Sequence, residues 1–171
     1  MNKLFNLIAL VFIVMFSPTI FAQEATVVEN SQISEGVKLV HGYTPGEMGS
    51  FDKLFIEVNS KSTEIFNSEG RKIKEVFPID IDSDSKKEYL ISMDCGGSGG
   101  YYDLTIIKEK DGSWVSIWED SLVQPKVSIK QNDEKTTIRI ESLEVVDNSP
   151  KKIVTLLNFR KDGISEKVVL R

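Results

Sequence analysis

The chain has 171 residues, a formal net charge of −5, 40% hydrophobic residues, one cysteine and one histidine. An acidic surface without a basic stripe argues against nucleic acid, whose phosphates ask for clustered Lys and Arg. A single cysteine excludes an internal disulfide, so a hydrophobic core, alone or with a bound ion, must hold the fold together.

The chain opens "MNKLFNLIALVFIVMFSPTIFAQEA", with Lys3 as the positive end, an apolar stretch from Leu4 to Phe16, and Ile20-Phe21-Ala22 before a polar change. This pattern reads as a secretory signal over residues 1–22, cleaved after Ala22. Asn6, Ser17 and Pro18 interrupt the alternative, an uncleaved anchor, which needs about 20 apolar residues. Gln23 follows the cleavage point, so a lipidated cysteine is not indicated. Export to the periplasm or the medium is therefore expected. Residues 1–22 carry only Lys3 as a charge, so the remaining 149 residues have a net charge of −6 and fit one domain. No later stretch is long enough to span a membrane.

Residues 23–36 read as a polar leader or a weak edge strand, and the ordered domain is expected over 37–171. From Val37 onward the apolar segments are short, rich in β-branched and aromatic residues, and bounded by Gly, Asp, Asn or Ser. None keeps a helical period for three turns. "NSEGRK" suggests a loose hairpin at Gly70. "EYLISM" is apolar on both faces, as an inner strand would be. "KEKDGSW" and "FRKDGIS" place Asp-Gly between strand-like runs, the preferred chemistry of a tight hairpin. In "TTIRIES", Ile138 and Ile140 alternate with Thr137, Arg139 and Glu141, as in a half-buried strand. Three strand–loop–hairpin units follow, Phe51 to Phe77, Glu88 to Asp120 and Thr136 to Arg171. The expected fold is all-β, built of antiparallel three-stranded meanders in a blade-like stack or open partial propeller, with a β-sandwich as the alternative. Trp114 and Trp118, on either side of Ser116, are placed to share one strand face and pack together.

The chemistry concentrates in "DIDSDSKKEYLISMDCGGSGGYYDL". Asp80, Asp82 and Asp84 on one extended face would crowd three negative charges, a costly arrangement without a cation. Curled into a loop, the same spacing wraps carboxylate oxygens around a hard ion of calcium size. An acidic, solvated turn is the metal-free alternative. An EF-hand needs Gly and Glu where this chain has Ser85 and Ile91. The stretch resembles the calcium loop of FG-GAP and VCBS-type β-propeller repeats, DxDxDGxxD followed by an apolar strand. That resemblance implies bound Ca²⁺ with Asp80, Asp82, Asp84 and Glu88 as ligands and Lys86 lending its backbone carbonyl. Ser83 and Ser85 stand where the family has glycine, and Glu88 where it has aspartate; the resemblance covers Asp80 to Asp120.

"GGSGG" satisfies the G-x-S-x-G expression around Ser98, but the nucleophile elbow needs a helix next and a histidine later. Here "YYDLTIIK" reads as a strand, and the only histidine, His41 in "LVHGY", comes earlier at a strand end. Cys95 reads as a buried small hydrophobe whose thiolate Asp94 disfavours; a Cys95–His41 pair is the reactive alternative. The turn is either a flexible bend or a recognition edge formed by Gly97, Ser98, Gly99, Gly100, Tyr101 and Tyr102, where bare backbone and an exposed tyrosine suit a protein partner. An aspartate loop followed by such a turn is also similar to exported propeller-like inhibitors of peptidoglycan hydrolases, which implies a cell-wall enzyme as the partner. The expected function is calcium-stabilised protein binding without catalysis. A hydrolase using Ser98 or Cys95, and a structural envelope protein, are the alternatives.

Overall fold

The computed structural model describes residues 26–43, 50–132, 135–147, 149–160 and 163–170. The expected signal segment lies outside them. The described residues form eleven strands in order: β1 (Thr26–Ser34), β2 (Val37–Tyr43), β3 (Ser50–Val58), β4 (Lys61–Asn67), β5 (Lys72–Ile79), β6 (Glu88–Asp94), β7 (Tyr101–Lys110), β8 (Ser113–Gln131), β9 (Thr136–Val146), β10 (Ser149–Arg160) and β11 (Gly163–Leu170). The fold is all-β and antiparallel, as the short β-branched segments require. A four-stranded sheet runs β1-β2-β3-β4, a seven-stranded sheet runs β11-β10-β9-β8-β7-β6-β5, and neither closes into a barrel. The polar segment before Val37 is ordered from Thr26 and forms the edge strand β1.

Each strand pairs with its neighbour in sequence, except where the chain passes from β4 to β5 and changes sheet. The expected hairpin at Gly70 is this crossing, and the unit Phe51 to Phe77 is therefore split between two sheets. Glu69 and Gly70 both adopt left-handed backbone there, the geometry a hairpin turn would also use. The units beginning at Glu88 and Thr136 do form three-stranded meanders. Asn59-Ser60, with φ of 50° and 62°, makes the unforeseen β3–β4 turn.

β6 is buried on both faces. Tyr89, Ile91 and Met93 join Ile73 and Ile107 against Val37, Leu54 and Ile65, forming the core shared by the two sheets. Leu90 points the other way, into a second core formed wholly by the long sheet and its β5–β6 loop, with Ile81, Leu104, Ile106, Ile138, Ile140, Leu157 and Phe159. One continuous sheet can bury residues of both β5 and β10 in one cluster only by curling. β8 provides the bend at Gln124, whose φ is 47°, before Pro125, where the β8–β9 register shifts between Val123 and Lys126.

The two tryptophans do not share a face. Ile107 pairs with Ser116 and Ile106 with Trp118, so Ile117 is an extra residue, a bulge, and one extra residue reverses every later side chain. Trp114 packs at 5.7 Å on Tyr89 in the shared core, whereas Trp118 packs on the second core.

A buried polar knot fixes the crossing. Asp52 on β3 is 2% exposed, and its Oδ2 accepts the Ile73 amide of β5 at 2.6 Å while Oδ1 binds His41 Nδ1. Its backbone N–H donates to Ser68 Oγ at 3.2 Å, and its carbonyl accepts the Ser68 amide at 2.9 Å. Replacing Asp52 with Ala strands the Ile73 donor, a loss of about 1–3 kcal/mol. Urea unfolding should show that loss, and an unchanged midpoint would mean the knot does not secure the crossing.

Candidate functional site

The loop between β5 and β6 folds back on the start of β6. Asp80, Asp82 and Glu88 bring one carboxylate oxygen each within 4.8 Å of one another. Asp80 is 8% exposed and Glu88 2%, depths at which charges require partners. Glu88 Oε2 accepts the Ile81 amide at 2.9 Å, and Asp80 Oδ2 accepts the Ser85 amide at 3.0 Å. Asp80 Oδ1 and Asp82 Oδ1 are buried without a hydrogen-bond partner. Ser83 and Ser85 adopt left-handed backbone, with φ of 58° and 70°. The serines therefore take up the turn that glycine would make more cheaply.

Asp84 is exposed and outside the cluster, its Oδ1 accepting the Lys86 amide at 2.8 Å. Lys86 is exposed, its ammonium 3.7 Å from Glu109. Asp80, Asp82 and Glu88 are thus the expected acidic ligands that the fold brings together.

Lys108 was not foreseen. The register Leu90↔Ile106 and Tyr89↔Ile107 sets Glu88 beside Lys108 across the β6–β7 pair. The lysine continues the inward face of Leu104 and Ile106. A lysine at an inward position was the available signal. Its ammonium binds Asp82 Oδ2 and lies 3.4 Å from Glu88 Oε1. Burial pushes the Glu88 carboxyl above its ordinary range, against the Ile81 amide and Lys108. Burial also opposes the charge of Lys108, but the hydrogen bond to Asp82 and the charges of Glu88 and Asp82 outweigh it and raise the lysine.

The same loop ties the curled sheet together. The Asp80 carbonyl accepts Thr136 Oγ1 at 2.7 Å and Gln131 Nε2 at 3.0 Å, from β9 and the end of β8.

At the other end of β6, the Cys95 amide donates to the Tyr101 carbonyl at 3.1 Å and closes the glycine turn. Gly96 and Gly97 are successive left-handed residues, and a Cβ on Gly99 would meet the Tyr101 ring at 2.6 Å. These contacts explain the glycine content by backbone geometry. Gly97, Ser98 and Gly99 are exposed, Gly100 and Tyr102 half-buried, and Tyr101 is 51% exposed. Strand β7 follows where a nucleophile elbow would place a helix.

Cys95 is exposed rather than buried, because the turn carries it out of β6 before the core closes. Local desolvation and the neighbouring Asp103 hold its thiol above the ordinary range, and His41 is engaged by Asp52. Asp94, the neighbour expected to suppress the thiolate, instead accepts the Gly96 amide and pairs with Lys74. Asp103 also borders a cavity of about 560 Å³ between β4 and β7–β8, where Arg71 Nη1 meets it at 2.5 Å.

Comparison of the chain with protein-family models, curated proteins and solved structures finds no match.

The Ser121 hydroxyl, followed by Arg71, holds the Asp103 carboxyl below the usual range against the effect of burial. A depressed carboxyl stabilises the fold above its unfolded value and loses that contribution as pH falls through its folded value. Asp103→Asn should cost about 1 kcal/mol at neutral pH. The gap from wild type should shrink below the ordinary aspartate range in chemical denaturation; a gap independent of pH would remove Asp103 from the linkage.

Proposed function

We propose that the protein is an exported β-rich binding module, its fold secured by calcium at Asp80, Asp82 and Glu88 and its recognition edge formed by Gly97 to Tyr102. The observation that carries the calcium reading is Asp80 Oδ1, a buried carboxylate oxygen without a hydrogen-bond partner on one of three residues whose carboxylates converge. Two oxygens bound to one calcium at about 2.3–2.6 Å can stand no more than about 5 Å apart, so the 4.8 Å spread fits a common ion. Hard carboxylate oxygens without sulfur or imidazole favour calcium over softer metals. Calcium bound there supplies the positive charge that the buried cluster is short of. Asp84 and the Lys86 carbonyl belong to the ligand set by resemblance, and Asp84 borders the cavity beside the cluster.

The loop joins β5 to β6 and hydrogen-bonds to the β8–β9 hairpin, so an ion that stiffens it stiffens the curled sheet. β6 carries that rigidity to the glycine turn. Tyr101 there gives a large rigid contact surface on a backbone that its hydrogen bonds hold in shape. A cell-wall hydrolase is the partner class implied by the likeness to exported propeller-like inhibitors, and the leader-like opening sequence supports an encounter outside the cytoplasm.

At ten times its dissociation constant calcium should add about 1.4 kcal/mol, or about 3–6 °C in the melting midpoint. Asp80→Asn should abolish that shift, and equal midpoints with calcium and with chelator would remove the ion from the account. Tyr101→Ala should leave the midpoint unchanged and weaken capture of an envelope partner by about 2 kcal/mol. If Tyr101→Ala and Tyr102→Ala each unfold the protein, the segment is core and the recognition reading fails.

A further inference from the structure

We propose that Lys108 is a tethered competitor for the cation site, occupying part of it when no ion is bound and setting the concentration at which calcium enters. The inference rests on reading the acidic cluster as a calcium site. It assigns the affinity of that site to a residue outside the aspartate loop.

Lys108 reaches the cluster from β7, bonding Asp82 and approaching Glu88, two of the three carboxylates an ion would need. One ammonium offsets one of three negative charges and leaves Asp80 Oδ1 without a partner. The occupancy is therefore partial: enough to let the loop fold without calcium, not enough to satisfy it. A divalent ion must take oxygens that the lysine holds, and two positive centres a few ångströms apart repel. Lysine suits this role because its ammonium is a point charge on a flexible four-carbon stem.

An exit is present. Lys108 borders a cavity of about 350 Å³ whose lining includes the acidic Asp84, Glu109 and Glu35 and the basic Lys86 and Lys87. The ammonium can leave Asp82 for the carboxylates of that mixed-charge wall, where Lys86 already faces Glu109. Each binding event then carries the work of breaking the Lys108–Asp82 contact, which tunes the site to the high calcium levels found outside cells.

Calorimetric titration of calcium into the chelator-treated full chain tests this with wild type, Lys108→Met and Lys108→Arg. Lys108→Met, which keeps the stem and loses the charge, should bind calcium about tenfold more tightly or better. Its ion-free form should melt below ion-free wild type. Lys108→Arg keeps the charge and should bind no more tightly than wild type. Equal or weaker binding by Lys108→Met overturns the inference while leaving calcium binding standing. Tighter binding by Lys108→Arg overturns it too, which keeps the test decisive if the methionine variant does not fold. Silence of both wild type and Lys108→Met rejects the calcium reading and this inference together. Binding by Lys108→Met alone supports the lysine as occupant and rejects calcium in the native protein.

Discussion

The architecture depends on a concentration of buried negative charge where the long sheet folds over itself. Asp80 and Asp82 sit in a loop that joins β5 to β6 and reaches across to β8 and β9, and Glu88 opens β6 beside them. Carboxylates at this depth are costly unless they are paired, and Lys108 offsets only part of their charge. Replacing the cluster with apolar residues would remove that cost. Its position at the closing point of the curl makes chemical sense if a cation completes it. Asp80 Oδ1 and Asp82 Oδ1, buried without a hydrogen-bond partner, are the clearest mark of groups short of one.

The second structural constraint lies at the sheet crossing. Asp52 binds the Ile73 amide of the other sheet, His41 within its own, and Ser68 in the connection. Both polar centres act as cross-links: each ties together segments distant in sequence. With the lone cysteine placed on an exposed turn, the fold relies on these centres and on its two cores.

Much of the architecture was legible in the sequence wherever one physical signal acted alone. Alternation disclosed β9, and continuous apolarity disclosed β6 as an inner strand. The aspartate spacing located the loop; of the four acidic ligands expected there, the fold brings Asp80, Asp82 and Glu88 together and leaves Asp84 outside. What the sequence concealed follows from degeneracy. Left-handed turn chemistry at Glu69-Gly70 serves a crossing between sheets as well as a hairpin, so the unit from Phe51 to Phe77 read as continuous. The bulge at Ile117 has no compositional mark, and it sent Trp114 and Trp118 to opposite cores. Asp52 and Lys108 were readable in principle, as polar residues in register with Leu54 and Ile106 on inward faces, but only once those faces were known. The exposed thiol of Cys95 depends on how the glycine turn leaves β6, a three-dimensional fact that no local pattern states.

Direct measurement of ion stoichiometry bears most closely on the central claim that the acidic cluster completes itself with a cation. Equilibrium dialysis of the full chain against radiolabelled calcium at millimolar concentration should find about one ion per chain in the wild type and none in Asp80→Asn. Wild-type protein that retains no calcium under those conditions, or an Asp80→Asn variant that retains as much as wild type, would contradict the account.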